Sequence, residues 1–142
     1  LGTPDDLYQR PATLAVARFI GSPGINLLPA EADAEGRVNI AGQATGIRAR
    51  PGPLTVGIRP EDLQAGDEGL AAEVLRVETH GPDRFLTCAL QFDHATLVLR
   101  QGASARPARG DMLRLSIPPE RAHLFAADGQ RLSAWAAGQV AA

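Results

Sequence analysis

The stretch Leu54-Thr55-Val56-Gly57-Ile58-Arg59-Pro60-Glu61-Asp62-Leu63 decides the fold of this chain. Its first half alternates apolar with polar or small residues at a period of two, which is typical of a strand with one buried face. Pro60 lacks the backbone donor that would continue the strand, so the strand ends at a fixed point. We therefore expect a central strand followed by a turn in which Arg59 and Glu61 form a charge pair at the rim of a barrel.

The rest of the chain from Ile25 onward consists of short apolar runs separated by glycine, proline and acidic clusters. This punctuation is typical of a small all-β barrel or sandwich. We expect about eight strands. They are Ile25–Ala30, Arg37–Ile40, Gly46–Ala49, Leu54–Arg59, Leu70–Glu78, Phe85–Phe92, Ala95–Arg100 and Met112–Ile117.

A second proline-containing segment, Pro118-Pro119-Glu120-Arg121, closes the last of these strands as Pro60-Glu61 closes an earlier one. Two strand ends with the same chemistry indicate two rims of related construction, and a duplicated unit is one interpretation. After it, His123-Leu124-Phe125 predicts a final short pairing and Asp128-Gly129 a turn.

The first residues predict a different organisation. Thr3-Pro4-Asp5-Asp6 is a helix start with a capping hydroxyl, a proline at the first helical position and two carboxylates near the positive end of the helix dipole. A short helix to about Arg10 and a second one over Ala12–Ile20 are expected. The predicted division is a helical connector over 1–23, a β domain over 24–133 and a flexible tail over 134–142. Because the chain starts at Leu1 and its one methionine is Met112, we expect it to be a piece of a longer protein.

Composition excludes several classes of function. The net charge is −2, and wrapping a nucleic acid needs clustered cationic surface. All fourteen cationic residues are arginine, so the chain cannot supply a phosphate-loop lysine or a Schiff base. Aromatic residues make up 4% of the chain, too few for a platform that stacks single-stranded bases. No apolar run approaches the roughly 20 residues of a membrane span.

Candidate chemical residues are few. His80, His94 and His123 fall in or beside predicted turns without metal-ligand spacing, so we interpret them as solvated or capping residues rather than metal ligands. Cys88 lies in an apolar alternating run, which indicates a buried core residue rather than a reactive thiol. The adjacent acids Glu61 and Asp62 point in different directions and do not form a general acid and base. The sequence therefore predicts no catalytic residue and no metal site.

Three stretches together resemble a known family. The first is Gly2-Thr3-Pro4-Asp5-Asp6-Leu7-Tyr8-Gln9-Arg10-Pro11-Ala12, then Val16-Ala17-Arg18-Phe19-Ile20-Gly21-Ser22-Pro23, with Asn26-Leu27-Leu28-Pro29. The second is Gly57-Ile58-Arg59-Pro60-Glu61-Asp62-Leu63, and the third is Pro118-Pro119-Glu120-Arg121-Ala122-His123-Leu124-Phe125 with Asp128-Gly129. The first resembles the segment that follows the nucleotide-binding domain in ATPase subunits of sugar-type ABC importers, the group that includes maltose and glycerol-3-phosphate importers. The second is similar to the family's G-[IV]-R-P-E stretch, and the third to its closing element.

The resemblance implies a C-terminal accessory domain of OB-fold type, called TOBE in this family, behind an ATPase domain. That domain would bind ATP and Mg²⁺, so we expect this chain to have no cofactor and no catalysis of its own. Implied partners are a second copy of the subunit, permease subunits and a cytosolic regulatory protein, at the cytoplasmic face of the inner membrane. By family analogy, Arg59, Glu61, Glu120 and Arg121 are interface or rim ion pairs.

Two alternatives stay open. Arg59 and Glu61 are equally well explained as a surface pair that fastens the turn and contributes about 0 to 1 kcal/mol. Residues 30–53 are short and aromatic-free, unlike the maltose-type members, so the same regulatory partners are not implied. A different function, sensing of an oxyanion or a sugar by the barrel itself, is the alternative to the regulatory and dimerisation role.

Overall fold

The computed structural model describes residues 24–91, 94–102 and 107–132. These residues form eleven strands and two 3₁₀ turns, which confirms a mainly β fold. The strands are β1 Asn26–Ala32, β2 Arg37–Ile40, β3 Gln43–Arg48, β4 Gly52–Ile58, β5 Gln64–Gly66, β6 Leu70–His80, β7 Asp83–Leu90, β8 Thr96–Gly102, β9 Met112–Ser116, β10 His123–Ala126 and β11 Arg131–Leu132. The 3₁₀ turns are Pro60–Asp62 and Pro119–Arg121.

The strands form two antiparallel sheets. One sheet has the order β11-β10-β4-β1-β2-β3, and the other has the order β5-β9-β6-β7-β8. The central position predicted for the strand before Pro60 is confirmed, because β4 lies between β1 and β10. Alternate residues of both sheets point into one shared apolar core, which includes Val56 of β4 and Leu86 of β7. Two sheets around one core give the OB-fold-like barrel that the sequence predicts.

A bent two-stranded ribbon connects the sheets. β4 continues through the turn Pro60–Asp62 into β5 of the other sheet, and β9 continues through Pro119–Arg121 into β10 of the first sheet. β4 pairs with β10 and β5 pairs with β9, in one register that runs from Leu54↔Ala126 to Gly66↔Arg114. We call this segment the paired ribbon (residues 54–66 and 114–126). Its two strands pass from one sheet to the other at the two 3₁₀ turns, which the common register places opposite each other.

Side-chain amides bridge the sheets elsewhere. The Asn26 amide donates to the Val98 carbonyl at 2.8 Å and accepts from the Val98 amide at 2.7 Å, so that it pairs with the edge of β8 as a strand would. On the other side, Oε1 of Gln43 in β3 accepts from the Ala71 amide of β6 at 3.0 Å. Buried backbone groups need such partners, and these bonds supply them where the two sheets meet.

The expected strands differ from the observed ones mainly at their ends. The predicted pairing at His123-Leu124-Phe125 is confirmed as β10, and the turn at Asp128-Gly129 is confirmed by a 2.8 Å bond from Gly129 N to Ala126 O. β5 and β11 were not predicted, because three and two residues are too short to show a period. The predicted helices, the connector 1–23 and the tail 134–142 lie outside the described residues, so the domain division stays a prediction.

Candidate functional site

The two 3₁₀ turns of the paired ribbon have the same construction. Each places a proline at its first position and a glutamate at its second, and each closes with a backbone bond over three residues. In the first turn Asp62 N donates to Arg59 O at 3.0 Å, and in the second Arg121 N donates to Pro118 O at 2.9 Å. A prolyl ring fixes φ near the helical value and has no N–H that would need an acceptor. Both segments therefore turn without leaving a backbone donor unsatisfied at the proline. The prediction of two strand ends of related construction is confirmed, because both turns have the same proline, glutamate and backbone hydrogen bond.

The first turn is anchored by burial. Pro60–Asp62 packs against β8, and Arg59 at its start is only 4% exposed. Arg59 therefore does not lie at the surface, and the interpretation of Arg59 and Glu61 as a surface pair is wrong for its arginine. A period-two pattern predicts that Arg59 faces away from the core, but it cannot reveal that this position is buried in the folded chain.

Asp62 electrostatically connects the two turns. Burial raises the pKa of its carboxyl above 3.8, the adjacent Glu61 raises it further, and the positive charges of Arg121 and Arg59 partly oppose this. Asp62 thus lies within Coulombic range of an arginine from each turn. The sequence shows Asp62 only as the second of two adjacent acids in a turn. Its proximity to Arg121 depends on the register between segments that are distant in sequence.

The exposed charged residues of these two turns are Glu61, Glu120 and Arg121, and we call them the charged ridge. The structure thus brings the predicted residues into one region, with Arg59 beneath the ridge and the other three on its surface. A ridge of two acids and one arginine offers groups for ion pairs with another protein surface. Its use as an interface stays a prediction.

Gly57 of the G-I-R-P-E stretch is explained by packing on the outer side of β4. A Cβ at this position would lie 3.1 Å from Ile25 Cδ1 and 3.4 Å from Phe125 Cε2. Phe125 is fully buried there, in a second apolar cluster with Ile25 that Leu27 packs against. The glycine therefore makes room for the aromatic ring that belongs to the closing element of the chain.

The remaining candidates have structural roles or none. Cys88 is fully buried, as predicted, and burial raises the pKa of its thiol to about 11. His80 and His94 are exposed, as the interpretation of solvated residues expects. His123 is 7% exposed at the start of β10, so it is not solvated; its pairing with Gly57 places it on the outer side of β4, the side that Phe125 covers. Among the described residues, no group of three or more His, Cys, Asp or Glu side chains could hold a metal ion.

Comparison with known proteins identifies the class. Residues 56–125 match the model of the TOBE domain. This segment begins in β4 and ends in β10, so it contains both 3₁₀ turns and all of the second sheet. The chain therefore carries a TOBE domain.

Curated relatives narrow the class further. The chain is 38% identical to an sn-glycerol-3-phosphate import ATP-binding protein of Chromobacterium violaceum, over 92% of this chain and 38% of the relative. It is 42% identical to the protein of the same name from Ruegeria sp., over 87% of this chain and 36% of the relative. For the protein of that name from Cereibacter sphaeroides the identity is 39%, over 93% of this chain and 39% of the relative.

The chain thus spans somewhat over a third of the length of these relatives. The resemblance to the ATP-binding subunits of sugar-type ABC importers is confirmed. In the part of the chain that the structure describes, no helix is long and apolar enough to cross a membrane.

Proposed function

We propose that this chain is the regulatory and dimerisation domain of the ATP-binding subunit of an ABC importer for a sugar-type solute, with sn-glycerol 3-phosphate as the first candidate. The support for the solute class is the name that several relatives share. The domain has no catalytic activity of its own. ATP and Mg²⁺ bind to a separate ATPase domain of the same subunit, at the cytoplasmic face of the inner membrane.

The observation that carries the dimerisation role is the coincidence of the charged ridge with the matched segment. The ridge lies on two turns whose backbone is fixed to the core by the paired ribbon, so the place of the ridge on the domain does not depend on a bound protein. In a symmetric pair of subunits, the same ridge meets itself, and an acid of one copy lies near Arg121 of the other. A second copy is thus the first partner, with permease subunits and a cytosolic regulatory protein as further ones.

Charge reversal in the full-length subunit tests this role. Arg121→Glu should weaken self-association by at least about tenfold, because like charges placed opposite each other cost several kcal/mol. Adding Glu61→Arg should restore part of the affinity. Arg48→Glu, at an exposed arginine of β3, is the matched control and should leave self-association unchanged. Sedimentation equilibrium gives the dissociation constants.

The alternative, in which these residues only fasten the turn, has a different signature. Arg121→Glu would then lower the melting temperature of the domain while self-association stayed at the wild-type value. An equal loss of association in Arg48→Glu would also contradict a specific role for the ridge.

A further inference from the structure

A small apolar cluster lies on the outer side of β4, opposite the shared core. Ile25 and Phe125 are buried there, Leu27 packs against them, and Gly57 of β4 lies beneath them. We call these four residues the outer cluster. The neighbouring Val56 of β4 points the other way, into the core between the two sheets. The outer cluster therefore lies on the side of the first sheet that the second sheet does not cover.

Phe125 is 0% exposed, and the described residues explain only part of this burial. The backbone of β4 at Gly57 lies under its ring, and Ile25 and Leu27 are its partners in the apolar cluster. The guanidinium carbon of Arg131 is 6.0 Å from the ring centroid, at the limit of a cation–π contact, and Arg131 is itself exposed. A fully buried residue contacts about six to twelve others. Further residues must therefore lie over the ring.

The buried area on this side extends beyond the apolar side chains. His123 of β10 pairs with Gly57 and is 7% exposed. Ile25, before the start of β1, is 9% exposed. The covered surface thus crosses three neighbouring strands, β10, β4 and β1, which is the width that a single packed helix or extended segment can cover.

The chain before Gly24 approaches the sheet at this surface. Ile20 precedes Ile25 of the outer cluster by five residues, so their Cα atoms are at most about 18 Å apart. Seven of the nine residues in Ala12–Ile20, for which the sequence predicts a helix, are apolar. A segment of this composition needs a surface to pack on, because few of its sides can face water.

The other segment outside the described residues is a poorer match. Residues 133–142 follow β11, and their apolar residues larger than alanine are Trp135 and Val140. Ala12–Ile20 contains four such residues and places an aromatic one, Phe19, at its end nearest to the outer cluster. It therefore offers more apolar area close to Phe125.

We propose that Ala12–Ile20 packs on the outer cluster, with Phe19 and Ile20 over the ring of Phe125. This contact attaches the polypeptide before Gly24 to β4, the strand that leads directly into the first turn of the charged ridge. A movement of the preceding polypeptide then reaches the ridge through one strand. The inference does not depend on the proposed function, because the segment and the cluster belong to the same chain.

Thiol labelling of Leu27→Cys in this chain tests the proposal. Leu27 is half-buried at the cluster, and a thiol beneath a packed segment reacts only while the segment is detached. Adding Phe19→Ala and Ile20→Ala should raise the labelling rate by about tenfold or more, since both lose apolar area that the contact buries. The native Cys88 is fully buried with a thiol pKa of about 11, so it reacts only when the whole fold opens. Labelling at Cys88 therefore separates detachment of the segment from unfolding.

The matched control is Arg18→Ala, next to Phe19 in the sequence but without an apolar contact to lose. It should leave the labelling rate of Leu27→Cys within about twofold, as is usual for a surface substitution. Trp135→Ala should also leave the rate unchanged. In the chain without substitutions, nuclear Overhauser contacts should join the Phe125 ring to the methyl groups of Ile20.

Three results would overturn the proposal. The first is faster labelling in Trp135→Ala than in the Phe19→Ala/Ile20→Ala chain, which would assign the outer cluster to residues 133–142. The second is equal acceleration by Arg18→Ala. The third is labelling of Leu27→Cys alone as fast as that of a free thiol, without Overhauser contacts between Phe125 and Ile20, which would mean that the outer cluster is open to water.

Discussion

Gly69, in the short connection between β5 and β6, has no space for a side chain. Its φ is +123°, and a Cβ there would lie 2.8 Å from Ser116 N and closer still to the Leu115 carbonyl. Gly69→Ala should lower the free energy of unfolding by roughly 2–4 kcal/mol, since a strained backbone and a steric overlap each cost about 1–3 kcal/mol. Urea denaturation measures this loss.

The control for Gly69 is nearby. A Cβ added to Gly66 of β5 would have no atom within 4 Å, and the φ of Gly66 is in the ordinary range. Gly66→Ala should therefore change stability by less than about 0.5 kcal/mol, as is usual for surface substitutions. Equal destabilisation by the two changes would show that the contact with β9 is not the cause.

The raised pKa of Asp62 predicts how the stability of the fold depends on pH. Its pKa is higher in the folded chain than the ordinary value of 3.8, because burial disfavours the ionised carboxylate. The folded state therefore binds this proton more tightly than the unfolded state, and stability is lost as pH rises through the folded pKa. Asp62→Asn removes the titrating group, so its melting temperature should exceed that of the wild type at pH 7.

The difference between Asp62→Asn and the wild type should shrink as pH falls below 3.8, where both forms are neutral at this position. Thermal melts at about pH 7 and about pH 3.5 measure it, with Asp67→Asn as an exposed control. If Asp62→Asn melted below the wild type at pH 7, the attraction of Arg59 and Arg121 would outweigh the cost of burial.

At the scale of elements, the contact between β1 and β8 depends on one side chain. Asn26→Ala removes two hydrogen bonds, to Val98 N and Val98 O, and leaves those backbone groups without their partner. We expect a loss of about 2–4 kcal/mol, because an unsatisfied buried group costs about 1–3 kcal/mol. Urea denaturation checks it, with Asn39→Ala on β2 as the control. If Asn26→Ala lowered the free energy of unfolding no more than Asn39→Ala does, water would be replacing the Asn26 amide at Val98.

The sequence predicts those elements whose signals are local. The alternation of Leu54, Val56 and Ile58 and the position of Pro60 locate β4 and its end closely, because both are properties of adjacent residues. The burial of Cys88 follows from the same periodicity. β5 and β11 give no periodic signal, and they form because β9 and β10 provide partners.

The candidate site is less predictable than the strands. The two Pro-Glu segments indicate two similar turns, but only the register between β4 and β10 and between β5 and β9 brings these turns together. The turn that follows the buried Arg59, Pro60–Asp62, packs against β8, which is about forty residues away in the sequence.

At the scale of the whole molecule, the paired ribbon determines how the chain comes apart. Because each of its strands contributes to both sheets, neither sheet can lose its contacts while the other keeps its own. Unfolding should therefore be a single cooperative transition, without a half-folded intermediate that retains one sheet. A force applied at the charged ridge would, for the same reason, be transmitted to both halves of the barrel at once.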